Sequence, residues 1–203
     1  MPKRPAPTRQ ERGGRPTRSE GKTILILSDG TETEPNYFKA LRKAWRLATL
    51  TVPEKHIGQA KQVIEAAHKQ AGDYEEVWCV VDRDELDAAT FDTAIAQCRG
   101  KIRAAWSNES FELWFVLHYT NAPARGVEAR KRYIEQIEKL TGVKYDKAAD
   151  HWSALEAQLD AALQNADRLM TQYTSSEPPS ACCPGTRVQE LIRALIAERD
   201  TRG

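Results

Sequence analysis

The sequence predicts an α/β fold, a mainly parallel sheet flanked by helices and followed by a helical C-terminal extension. Three observations point to it. Two apolar runs, Ile24-Leu25-Ile26-Leu27 and Val77-Trp78-Cys79-Val80-Val81, end abruptly in acidic clusters around Asp29, Glu32 and Glu34 and around Asp82, Asp84 and Glu85. Strand-like and helix-like segments alternate between residues 23 and 106, the rhythm of right-handed crossovers in a parallel sheet. From Ser110 onward the pattern is helical.

Residues 23–28 read as the first strand, because a short aliphatic run with β-branched members suits a strand buried on both faces. A helix starts at Thr33 or Glu34, with Pro35 in its first turn, and runs through Phe38, Leu41, Trp45 and Leu47. Leu50-Thr51-Val52 is a weak second strand. Ala60, Val63, Ile64 and Ala67 repeat at helical spacing within 58–71. Residues 76–81 form the third strand, 87–99 a helix through Phe91, Ile95 and Cys98, and 101–106 the fourth strand. Phe111 to Tyr119 is a short apolar helix that Ser110 or Asn108 can cap. Residues 127–140, 151–172 and 186–199 are amphipathic helices, and 175–185 is a turn-rich loop carrying Cys182 and Cys183. The expected organisation is a basic leader over 1–22, an α/β core over 23–125 and a helical extension over 126–203 on the same domain.

With 203 residues, 40% of them hydrophobic, the chain is sized for one good core. No apolar stretch reaches the roughly 18 residues a membrane span needs, and no signal-peptide apolar segment opens the chain. No cysteine pair has zinc-site CxxC spacing, so reduced thiols and a cytoplasmic location are expected. The leader holds seven Lys and Arg against two Glu, a net of +5, so the remainder carries −4 of the overall +1. Its Pro- and Gly-rich composition predicts disorder, serving as a phosphate-contacting arm for nucleic acid or as a solubilising tail.

Parallel strands present their carboxyl ends on one edge, where α/β folds bind ligands. Carboxylates gathered there repel one another unless a cation lies between them. Asp82 and Asp84 are two apart and point the same way while the backbone stays extended, and Asp29 can approach from the neighbouring strand end. Three carboxylates with water suit Mg²⁺ or Mn²⁺. Gly30 permits close backbone approach or a positive φ where the chain turns toward a helix whose first amides can receive a phosphate. Ser107 and Asn108 leave the fourth strand on the same edge. Glu112 lies in the first turn of the apolar helix, as a dipole-matched carboxylate or as a site residue. His118 reads as a core histidine before an acid or base, and His56, His68 and His151 show no ligand spacing.

Taken in order, three blocks, Asp29-Gly30-x-x-Thr33-Glu34-Pro35-Asn36-Tyr37-Phe38, Val80-Val81-Asp82-Arg83-Asp84-Glu85 and Ser107-Asn108-x-x-Phe111-Glu112-Leu113-Trp114-x-x-x-His118-Tyr119, resemble the motifs of the RloB family from about residue 23 to 140. The resemblance implies a TOPRIM-like, Rossmann-type sheet in a bacterial protein associated with restriction–modification or phage defence. It implies Mg²⁺ held by a strand-end carboxylate and the D-x-D, Asp82 and Asp84, for phosphodiester chemistry, with Glu34, Asn108 and Glu112 lining or supporting the site. Asp29 stands where the family usually has Glu, and Glu109 where a proline is common. The function expected is a Mg²⁺-dependent nuclease acting on DNA or RNA, with a partner defence protein or self-assembly possible. The rival is a non-catalytic nucleic-acid or nucleotide-binding module or scaffold.

Overall fold

A computed structural model describes residues 21–54, 57–84, 86–121 and 130–201. Nearly all of the basic leader, the expected domain boundary near 125, the start of the helix expected over 127–140, and His56 and Glu85 lie outside the described residues. The elements follow in order: β1 (Ile24–Ser28), α1 (Thr33–Ala44), β2 (Leu50–Thr51), α2 (Ala60–Gln70), β3 (Glu76–Asp82), α3 (Ala88–Ala96), β4 (Ile102–Asn108), α4 (Glu112–Leu117), α5 (Arg130–Thr141), α6 (His151–Leu155), α7 (Leu159–Met170), β5 (Gly185–Thr186) and α8 (Val188–Asp200). They build one five-stranded sheet in the order β2-β1-β3-β4-β5, parallel except for β5. No helix among the described residues is long and apolar enough to cross a membrane.

The strand order reverses beside β1, since β2 lies on one side of it and β3 on the other. Crossovers therefore leave a crevice at the carboxyl ends of β1 and β3, the usual ligand position of an open α/β sheet. Register puts Ser28 opposite Val80 and Asp82 opposite Ser107, so the acidic ends of β1 and β3 lie side by side. The aliphatic runs are covered on both faces: Leu25, Leu27, Val77, Trp78, Val80 and Val81 have no measurable exposure.

Local chemistry sets the helix ends. The Asp87 carboxylate accepts from the Thr90 amide and starts α3. α1 ends at Ala44, three residues before the expected Leu47. There Arg46 takes φ of 55°, the Leu47 amide donates to Arg42 O (3.0 Å) and the Arg46 amide to Lys43 O (3.3 Å). This doubly bonded terminus normally uses glycine at its left-handed position, and it turns Leu47 into the core. The helix expected over 151–172 is broken by a 3₁₀ turn at Glu156–Gln158, giving α6 and α7. β4 runs two residues beyond its expected end, which places Ser107 and Asn108 on the strand. β5 falls partly in the expected loop; two residues carry no strand periodicity, and it exists because it pairs with β4.

All six residues of α4 are buried, between β5, α5 and α7. Neither Ser110 nor Asn108 caps α4; Asp82, reaching across from β3, accepts the Phe111 amide (3.0 Å). Tyr37, Phe38, Phe111, Phe115 and Trp152 form an aromatic cluster with centroid separations of 5.2 to 6.0 Å, edge-to-face except for the tilted Tyr37–Phe115 pair. The Trp114 indole donates to Tyr37 Oη (2.9 Å), which ties α4 to α1. Removing a ring such as Trp114 would cost about 3–5 kcal/mol.

Candidate functional site

The edge of β1 and β3 opens into a cleft of about 950 Å³, lined by Asp29, Gly30, Glu34, Asp82, Asp84 and Glu112 among others. Asp29 extends the strand pairing with its own side chain: its amide donates to Val80 O (3.3 Å) and its Oδ2 accepts the Asp82 amide (3.1 Å). Asp82, 3% exposed, receives the Phe111 amide on Oδ2, while its Oδ1 is buried with no hydrogen-bond partner. Asp84 reaches the same cleft by a route different from the extended one expected. β3 stops at Asp82, and Asp84 lies in a turn with φ of 43°. Arg83 between them points away, donating to Ser180 O (3.1 Å).

The cation that these acids require is supplied by the chain. Arg130, at the start of α5, donates from Nη2 to Asp82 Oδ2 (2.9 Å), contacts Asp84 Oδ1 (2.8 Å) and donates from Nε to Glu112 Oε2 (3.2 Å). Tyr145 Oη donates to the other Glu112 oxygen (3.1 Å) and lies 3.4 Å from Thr33 Oγ1. Glu112, 2% exposed, is thus held on both oxygens. Burial alone would lower the Arg130 pKa, but the Glu112, Asp82 and Asp84 carboxylates raise it. As placed, no group of three or more His, Cys, Asp or Glu side chains among the described residues converges tightly enough to hold a metal ion. The guanidinium sits among the carboxylates that would have to converge.

Glu34 folds back over Gly30: a Cβ on Gly30 would lie 1.6 Å from Glu34 Oε2. Close approach is therefore what Gly30 provides. Burial, reinforced by the charge of Glu34, pushes Asp29 up to about 8. Burial also pushes Glu34 up to about 7, with Glu112 adding to it. Asp82 is driven well above the carboxylate range by burial and by the surrounding acids, Glu34 first. These acids hold protons near neutrality, and a cation entering the cleft would displace them.

Ser107 and Asn108 do not face the cleft. Ser107 Oγ pairs with Thr186 Oγ1 (3.3 Å), and Asn108 Nδ2 donates to Pro179 O (3.1 Å) and Ser180 O (3.0 Å). They fasten β5 and the segment before it to the sheet. Asp92 joins that clamp, accepting from the Ser180 amide (2.8 Å) and hydroxyl (2.6 Å). His118 is a core residue, with Nδ1 2.8 Å from Trp114 O, and burial lowers its pKa to about 4. Because the unfolded chain takes up that proton first, stability is intact above about 6.5 and falls as pH drops toward 4. The shift is worth on the order of 3 kcal/mol. His118→Gln is expected to flatten the acid limb of the melting-temperature profile relative to wild type; an unchanged difference between pH 7 and pH 5 would refute this.

Arg130 and Tyr145 are the site residues that the sequence does not disclose. Arg130 begins a run of three cations, Arg130-Lys131-Arg132, and nothing in an amphipathic pattern selects which one turns inward. Lys131 and Lys147 also line the cleft.

A family model described as RloB-like protein matches residues 24–195, most of the chain. The chain finds no significant match among curated proteins or solved structures.

Proposed function

The chain belongs to the RloB-like protein family, and from that premise we propose that it is a Mg²⁺-dependent, TOPRIM-like nuclease cleaving phosphodiester bonds of DNA or RNA in bacterial anti-phage defence or a restriction-associated system. The observation that carries this reading is Asp82 at the switch point of the sheet, a residue that lines an acidic cleft and has one buried, unpartnered oxygen. An all-oxygen donor set matches the preference of Mg²⁺, and the orphaned Oδ1 is a ligand atom in want of a cation. Asp82, Asp84 and Asp29 would hold the ion once the guanidinium withdraws. Bound there, Mg²⁺ would supply Lewis-acid polarisation of a phosphoryl oxygen and a water of lowered pKa.

The chain's own groups account for the remaining roles. Glu34, with a pKa of about 7, is matched to moving a proton near physiological pH. Glu112, braced by Tyr145, orients Arg130. Lys131 and Lys147 offer charge to a substrate phosphate. The deciding assay incubates DNA, RNA and tRNA with Mg²⁺ or Mn²⁺, comparing wild type with Asp82→Ala/Asp84→Ala. Cleavage that depends on the metal and vanishes in the double variant is expected; cleavage surviving it would sink the proposal.

Gly30→Ala tests the placement of Glu34. Because the clash is with the end of a flexible side chain, stability should change by only about 1 kcal/mol. Cleavage should fall about ten- to a hundredfold as the Glu34 carboxylate is displaced. Unchanged turnover would remove Glu34 from the mechanism.

A second reading is favoured by Arg130, whose contacts already neutralise the acids without a metal. On it, the protein is a non-catalytic nucleic-acid or nucleotide-binding module. Binding without cleavage in either metal would select it.

A further inference from the structure

We infer that the outer face of α1 is a second docking surface, one that takes the phosphate backbone of a nucleic acid. Lys39, Arg42, Lys43 and Arg46 occupy positions i, i+3, i+4 and i+7, one face of the helix and its cap. Together they line a shallow groove of about 410 Å³ closed by Leu47 and Ala48. Four cations on one face are a local concentration in a chain whose net charge beyond the leader is −4. Lys39 has Glu54 at 3.9 Å, and Lys43 acts on Asp150. No carboxylate pairs with Arg42 or Arg46 among the described residues.

Arg46 is the informative member. It holds φ of 55° at a helix terminus where glycine would be unstrained. A cation at a position whose backbone favours glycine points to use of the charge itself. The groove also adjoins the entry of the leader, with its seven Lys and Arg: Thr49 Oγ1, one residue past Ala48, donates to Lys22 O (2.7 Å). Lys39 to Lys43 spans about 6 Å of helix axis, the rise of about two nucleotides of one strand, and Arg46 stands beyond the helix end. The face presents discrete charges and no large apolar group, since the exposed large hydrophobics among the described residues are Leu140 and Val143 on other elements. That favours separate phosphates over a lipid surface.

This rests on the nucleic-acid part of the function proposed above but not on metal or cleavage, so the test is run in EDTA. Binding of the full chain to labelled single- and double-stranded DNA and RNA is measured by anisotropy across a salt series. Arg46→Gly should lower the salt slope by about one, and Lys39→Ala/Arg42→Ala/Lys43→Ala/Arg46→Gly by about three to four. The melting temperature of Arg46→Gly should equal or exceed that of wild type, which separates the lost contact from a lost fold. Wild-type slopes in the variants would overturn the inference. So would absence of wild-type binding, or capture by phosphatidylserine vesicles but by no oligonucleotide. Loss of metal-dependent cleavage alone would damage the nuclease reading and leave this one standing.

Discussion

Arg130→Gln is expected to destabilise the protein by about 2–4 kcal/mol near neutral pH, and millimolar Mn²⁺ is expected to restore most of the loss. Removing one partner of a buried charge cluster typically costs about 3–5 kcal/mol, because the remaining charges stay buried without compensation. The Arg130 side chain is 36% exposed, which reduces that figure. It nevertheless contacts Asp82 and Glu112, whose side chains are only 3% exposed. The pH dependence has a definite sign. Asp29, Glu34 and Asp82 have folded-state pKa values above their unfolded ones, so their contribution is favourable at low pH and is lost as pH rises, for Glu34 and Asp29 through about 7 and about 8. The variant's deficit should therefore shrink under mildly acidic conditions and grow under alkaline ones. A metal bound by the folded state alone stabilises it by about 2.7 kcal/mol at a hundredfold excess over its dissociation constant. Melting curves at three pH values, with and without Mn²⁺, check all of this. A variant as stable as wild type would show that the guanidinium is not what neutralises the acids. A destabilised variant that Mn²⁺ fails to rescue would separate the salt-bridge cluster from metal binding.

Asp82→Asn should abolish Mn²⁺-dependent stabilisation and lower cleavage by about a thousandfold or more, close to 4 kcal/mol of barrier. The substitution is isosteric and can still accept the Phe111 amide that starts α4, so the fold should persist. What is lost is an acid whose raised-pKa proton an incoming cation would displace, which an amide cannot match. Asp29→Asn should be milder. Asp29 already gives one oxygen to the Asp82 amide, and it has no buried, unpartnered oxygen like Asp82 Oδ1. Isothermal titration with Mn²⁺ at pH 7 ranks the two variants. An Asp29→Asn defect equal to that of Asp82→Asn would make Asp29 a full ligand. It would also mean that the short side chain of Asp29 reaches the ion directly.

Much of this was legible before any coordinates. Local rules suffice for β1, β3 and α2, because a short aliphatic run and a three-to-four residue repeat each specify one period. The meeting of Asp29 and Asp82 followed from parallel strands ending on one edge. The sequence did not disclose the break between α6 and α7, the extension of β4 or the existence of β5. Each depends on a partner far away in the chain: Ser107 is strand because it pairs with Asp82 on one side and Thr186 on the other. The same holds for the cap of α4, supplied by Asp82 across 29 residues of chain.

The acidic strand ends, the sheet class, an apolar core helix after Ser110 and the need for a cation among the acids were determined by the sequence alone. Residue type and short-range spacing carry that information. Which cation answers the need was decided by tertiary structure. Arg130 is 48 residues from Asp82 and stands first of three consecutive basic residues. The packing of α5 against α4 turns its guanidinium onto Asp82, Asp84 and Glu112. Tertiary structure likewise turned Ser107 and Asn108 away from the cleft, because Ser107 Oγ pairs with Thr186 Oγ1 of β5 and Asn108 Nδ2 donates to Pro179 O and Ser180 O.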